Sequence, residues 1–179
     1  MGTLRKAGAY SSKKARPYTR KSRKKNRAYI KTVPGMKIAK FNIGNIKDFN
    51  AGKHQYRVRF MAQESVQVRD NSIEACRMLL TKILDSQAPG QYYLIVKVYP
   101  HHMLRENKTA AGAGADRLST GMAHSFGIII GRAALLNPGT DVFVVTCLND
   151  KTARIAKNAM AAIKSKIPCK GKIVFEKLW

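Results

Sequence analysis

Between residues 37 and 60 the hydrophobic pattern is that of strands. Lys37 to Ile43 alternates and predicts a short strand, and Asn42-Ile43-Gly44-Asn45 leads from it into a loop. A turn follows at Ala51-Gly52-Lys53-His54. Tyr56-Arg57-Val58-Arg59-Phe60 alternates strictly, with Tyr, Val and Phe on one side and Arg57 and Arg59 on the other. This is the pattern of a half-buried strand whose second face meets solvent or a polyanion. Ser65 to Val68 reads as its continuation past a bend. The period then lengthens. Ile73, Cys76, Leu79, Leu80, Ile83 and Leu84 recur at helical spacing, after an Asn71/Glu74 pair spaced as a capping box and before Pro89-Gly90.

Tyr92 to Val98 is aromatic and β-branched, which predicts a strand. Ile128 to Leu135 predicts another, joined through a hairpin turn at Asn137-Pro138-Gly139 to a return strand over Asp141 to Leu148. A second helix starts at Asn149 or Asp150 and carries Ile155, Ala156, Ala159, Met160 and Ile163 on one stripe. Pro168 and Gly171 end it, and Ile173 to Phe175 closes the chain as a strand. The order predicts an α+β fold, with two helices packed on one face of a largely antiparallel sheet.

Tyr99 to Gly131 interrupts the pattern. Its middle, Ala110 to Gly121, is small and flexible in composition, too poor in apolar surface to offset the entropy of ordering. It predicts one long central loop, the kind of segment that is functional or disordered inside a compact domain.

Charge changes the picture most. The 179 residues hold 34 Lys and Arg against 10 Asp and Glu, a formal charge of +24. Residues 1–40 carry 14 of the bases and no acid. Self-repulsion of this size is relieved by a polyanion, of which nucleic acid is the commonest. The bases of the arm are Arg5, Lys6, Lys13, Lys14, Arg16, Arg20, Lys21, Arg23, Lys24, Lys25, Arg27 and Lys31, interleaved with Tyr10, Tyr18 and Tyr29. Ammonium groups suit phosphates, while guanidinium and phenol planes stack on unpaired bases. The expected boundary falls at Pro34-Gly35, giving a basic extension over residues 1–35 and an α+β domain over 36–179.

Several chemistries are not supported. Cys76, Cys147 and Cys169 form no C-x-x-C pair, so neither a zinc site nor a disulfide framework is indicated. His101, His102 and His124 lack nearby carboxylates or thiols at metal-ligand spacing, and read as core or loop residues or RNA contacts. Gly112-Ala113-Gly114-Ala115-Asp116-Arg117 fails both the dinucleotide fingerprint and the phosphate-loop pattern, so no cofactor is expected. No nucleophile elbow is present, and Ser119, His124 and Asp116 are neighbours only in sequence. No run of 18 apolar residues exists, so no membrane partner is expected. The basic N-terminus offers no amphipathic pattern for a transit peptide.

Three stretches resemble a known family: Ala15-Arg16-Pro17-Tyr18-Thr19-Arg20, Lys31-Thr32-Val33-Pro34-Gly35-Met36-Lys37-Ile38 and, most specifically, Ala113-Gly114-Ala115-Asp116-Arg117-Leu118-Ser119-Thr120-Gly121-Met122. They look like the L-sixteen family of large-subunit ribosomal proteins, in its archaeal L-ten-e branch. The resemblance implies a hammerhead-like α+β sandwich and no enzymatic activity. It implies binding to large-subunit rRNA near the A-site tRNA cleft, in the cytoplasmic ribosome. A flexible loop over residues 102–116 would point toward the peptidyl-transferase region. The implied partners are rRNA, tRNA acceptor ends and neighbouring ribosomal proteins. Arg16, Arg20, Arg117 and Thr120 match motif positions and carry over as RNA contacts. The other bases of the arm through Arg27, with Tyr18, Arg57, Arg59, His101, His102, Arg105, Lys108 and His124, complete the expected RNA-binding set. Two other readings are a free-standing nucleic-acid-binding module and an RNA-modifying enzyme. The first lacks a helix suited to the major groove, and the second lacks a cofactor or nucleophile site.

Overall fold

The alternation at Tyr56–Phe60 becomes a strand in the middle of the hydrophobic core. The computed structural model describes Ile30, residues 32–106 and residues 127–178. Among these the elements run β1 (Asn42–Gly44), α1 (Ile46–Asn50), β2 (Tyr56–Ala62), β3 (Val66–Arg69), α2 (Asp70–Gln87), β4 (Tyr92–Val96), β5 (His102–Glu106), β6 (Ile128–Leu136), β7 (Asp141–Cys147), α3 (Asp150–Ile163) and β8 (Gly171–Lys177). The fold is α+β, as expected, but the strands form two antiparallel sheets rather than one. Five strands are ordered β1-β4-β7-β2-β8 and three are ordered β3-β6-β5.

Register explains the core of the larger sheet. Residues directly opposed across antiparallel strands share a face. Tyr56, Cys147 and Tyr92 form one row, Val58, Val145 and Leu94 the next, and Phe60, Phe143 and Val96 a third. These rows belong to the core on which the helices pack. Helix α3 lies on β2, β7 and β8 and against α2, which reaches β3, β4 and β6. The α2 stripe is as the period predicts, with Ile73, Cys76, Leu80 and Leu84 fully buried and Leu79 and Ile83 at its flanks. On α3 the buried face also takes in Thr152 and Ala153; Ile155 lies at its edge. The alanines of α3 let backbones approach closely. So does Gly171 on β8, where an added Cβ would stand 2.1 Å from Cζ of the buried Phe60 ring.

Four local expectations are replaced. The Asn137-Pro138-Gly139 turn does not close a hairpin. Gly139, at φ +84°, donates from its N–H to the Ala62 carbonyl, and Ala62 donates to that of Thr140. The turn thus docks on the end of β2 and carries the chain from the smaller sheet to the larger. The capping box at Asn71/Glu74 does not form either. Helix α2 begins at Asp70 without a side-chain cap from the preceding residue. Its carboxylates look outward instead: Asp70 accepts the Lys37 N–H at 3.1 Å, and Glu74 accepts that of Ala39 at 3.2 Å. Residues 37–39 are therefore tied to a helix rather than paired in a sheet, and the expected first strand shrinks to β1. Finally, His102–Glu106, taken as the start of the loop, is strand β5, paired with β6 from Ile128 to Ala133.

Candidate nucleic-acid interface

Five of the expected RNA contacts lie among the described residues: Arg57, Arg59, His101, His102 and Arg105. The arm residues Arg5 to Arg27, with Tyr18, and the central residues Lys108, Arg117, Thr120 and His124 lie outside them.

Arg57 and Arg59 share the face of β2 turned away from α2 and α3, but their environments differ. Arg59 stands in register between Val144 and Val174. Its guanidinium is held by two carboxylates, at 3.3 Å from Asp141 and in a close pair with Glu176. The hydrogen bond to Glu176 does most to raise its pKa further. These bonds make Arg59 an internal tie joining β2, β7 and β8, a role the alternation alone did not foresee. Arg57 is half-buried, opposite Thr146 and Glu176, and no ion pair of its own is seen among the described residues.

The adjacent histidines also part company. His102 is buried, and its pKa is lowered by that burial first and by Arg105 second. It is an uncharged interior group, not a surface contact. His101 is exposed, with its ring centroid 4.4 Å from that of Tyr99. Arg105 is half-buried on β5 and engaged with neighbouring groups. A third histidine, His54, pairs its Nδ1 with Thr146 Oγ1 at 2.7 Å beneath Phe49, and burial lowers its pKa.

Other basic side chains emerge from the fold. Lys151, Arg154 and Lys157 are exposed on α3 away from its core stripe, and Lys164 is exposed just past its end. On the edge strand β8, exposed Lys177 extends this charge on the face that carries Phe175, while exposed Lys172 lies on the opposite face, in register with Met61. An open groove between α3 and β8 is lined by Asp150, Arg154, Lys157, Asn158 and Phe175. Acids only partly offset this charge: Asp150 pairs with Arg154 at 2.8 Å, and Glu64 lies 3.7 Å from Lys170. The ridge was visible as positions left off the apolar stripe. What its sequence lacked was any sign that β8 would line up beside it. On the smaller sheet, Arg132 donates from Nε to the Pro34 carbonyl at 2.8 Å and from Nη1 to the Tyr99 hydroxyl at 3.3 Å.

Among the described residues no group of three His, Cys, Asp or Glu side chains is placed to hold a metal. Cys76 and Cys147 are buried, and burial pushes both thiols up to about 12. No described helix is long and apolar enough to cross a membrane.

Basic helix and strand faces on an α+β scaffold define a protein suited to a polyanion. Residues 15–174 match the family described as ribosomal protein L16p/L10e. Archaeal proteins named large ribosomal subunit protein uL16 are similar along nearly the whole chain. The one from Staphylothermus marinus is 43% identical over 98% of this chain and 95% of its own. Those from Hyperthermus butylicus and Archaeoglobus fulgidus are 40% and 39% identical, over 96% and 90% of this chain and 88% and 87% of theirs. The chain belongs to the ribosomal protein L16p/L10e family, whose members are structural components of the ribosome rather than enzymes.

Proposed function

We propose that this chain is a structural constituent of the large ribosomal subunit that binds large-subunit rRNA near the A-site tRNA cleft. The observation that carries the reading is the charge distribution: 14 Lys and Arg and no acid in the first 40 residues, within a chain of formal charge +24. The basic extension over residues 1–35 anchors the protein by neutralising phosphates, and its tyrosines stack on unpaired bases. The domain over 36–179 docks through Arg57 and the basic ridge of α3 and β8. Arg59 supports that surface from within. The segment between β5 and β6 reaches toward the peptidyl-transferase region and organises tRNA acceptor ends, with Arg105, Lys108 and Arg117 supplying charge at its shoulders. Neighbouring ribosomal proteins are the remaining partners.

Salt titration of binding to a large-subunit rRNA transcript tests the anchoring. Each neutralised phosphate adds about −0.7 to −0.9 to the slope of log affinity against log salt. Deleting residues 1–35 flattens that slope by several units if the arm meets phosphates. An unchanged slope refutes the anchoring role.

A further inference from the structure

Three aromatic rings meet where the chain passes from β4 into β5, at the opposite end of β5 from the β5–β6 connection. Phe41 and Tyr99 are stacked, with centroids 5.6 Å apart and planes 19° from parallel. Tyr99 and His101 lie closer, at 4.4 Å and 43°. Phe41 is half-buried and packs against the core, while 42% of Tyr99 is accessible and His101 is exposed. Aromatic surface of this kind is usually covered in a soluble domain, so its exposure needs a reason.

The group is also rigid. The His101 N–H donates to the Tyr99 carbonyl at 3.0 Å, closing a three-residue turn around the buried Pro100. Arg132 is fixed at two nitrogens, one bonded to the Pro34 carbonyl and one to the Tyr99 hydroxyl. Its guanidinium is therefore held beside the phenol rather than free to wander. Lys97, two residues before Tyr99 in an extended run, and Lys40, next to Phe41, are both exposed. Asp70 and Glu74, which hold the segment just before Phe41, are taken up by the N–H groups of Lys37, Asn71 and Ala39 and by Arg77. The surroundings of the rings are thus cationic.

We propose that the Tyr99–His101 ring pair is a stacking site for one unpaired base of the bound RNA, with Arg132 steadying the platform and Lys97 and Lys40 facing the flanking phosphates. Flat rings beside cations match the chemistry of a single-stranded nucleotide: a π-face to cover the ring and a phosphate within reach of an ammonium. Because the turn and Arg132 hold the rings in place, little ordering is left for binding to impose. The site rests on the chain's binding to rRNA and adds a contact that charge alone does not supply.

The test uses the full chain and a large-subunit rRNA transcript, with affinity measured across a range of salt. His101→Ala weakens binding about 5- to 140-fold at every salt concentration, the range of alanine substitutions at stacked bases. The salt slope stays the same, because a lost stack releases no counterions. His101→Phe restores most of the affinity. Tyr99→Phe keeps the ring but loses the Arg132 bond, so its affinity falls between that of the native chain and that of His101→Ala. Melting temperatures of the His101 variants stay at the native value, since that side chain is exposed. Unchanged affinity in His101→Ala overturns the site and points to a neighbouring protein as what covers the rings. A slope reduced by about one unit with no rescue by Phe overturns it differently, making His101 a phosphate contact. Absence of any salt-dependent binding by the native chain refutes the RNA reading itself.

Discussion

Arg59→Ala separates the interior from the interface on strand β2. The Arg59 side chain is 25% exposed, and those of its partners Asp141 and Glu176 are 26% and 33% exposed. The cluster therefore lies between two regimes. Hydrogen bonds to charged groups contribute about 1.5–3 kcal/mol when buried, whereas exposed ion pairs are worth about 0.2–1 kcal/mol. Two such bonds at this exposure, with the loss of an apolar stem lying between Val144 and Val174, put the cost near 2 kcal/mol. For a chain of this size that lowers Tm by about 4–8 °C. Much of the cost comes from leaving two carboxylates without their cation. A triple variant, Arg59→Met with Asp141→Asn and Glu176→Gln, should recover a large part of the loss. Thermal and urea unfolding measure both variants. The rRNA salt slope of Arg59→Ala should match the native one, while Arg57→Ala should shift it by about 0.7–0.9 and move stability by no more than about 0.5 kcal/mol. If Arg59→Ala melts at the native temperature and loses salt-dependent affinity, Arg59 contacts RNA and the internal tie is wrong.

Gly171→Ala places a Cβ 2.1 Å from the Phe60 ring, and the overpacking should cost about 1–3 kcal/mol in urea unfolding. Leu80→Ala empties a fully buried position and should cost about 2–5 kcal/mol. His54 and His102 have pKa values lowered by burial, so the unfolded chain binds protons first. Stability should be full above an ordinary imidazole pKa of about 6.5 and fall as pH drops through it; urea midpoints from pH 8 to 5 that show no decline would contradict this. Cys76 and Cys147, with thiols pushed up to about 12, should resist iodoacetamide in the folded protein and react on unfolding.

The helices and the β2 core rows were legible because period 3.6 and period 2 are local properties. Ile73, Cys76, Leu80 and Leu84 needed only their spacing to be assigned to the core. What sequence could not show were the roles of polar residues whose partners are remote. Asp70 and Glu74 look like helix-start residues, yet they accept N–H groups from 33 and 35 residues away. Arg59 looks like a solvent-facing cation because its carboxylates lie 82 and 117 residues along the chain. Strand β5 was hidden for a similar reason: its pattern, buried at His102, Met103 and Leu104 in succession, makes sense only once β6 lies beside it. In the candidate interface, His101 was visible as a residue but not as part of a ring stack, since Phe41 comes from a distant segment. The arm's charge, by contrast, needed no fold to be recognised.

The most direct measurement of the central claim is a reconstruction of large ribosomal subunits purified with this chain in place. The account predicts the domain bound to large-subunit rRNA beside the A-site cleft, with the basic extension against phosphates and the β5–β6 connection directed at the peptidyl-transferase region. A chain absent from the subunit, or seated away from that cleft with its basic extension clear of RNA, would contradict it.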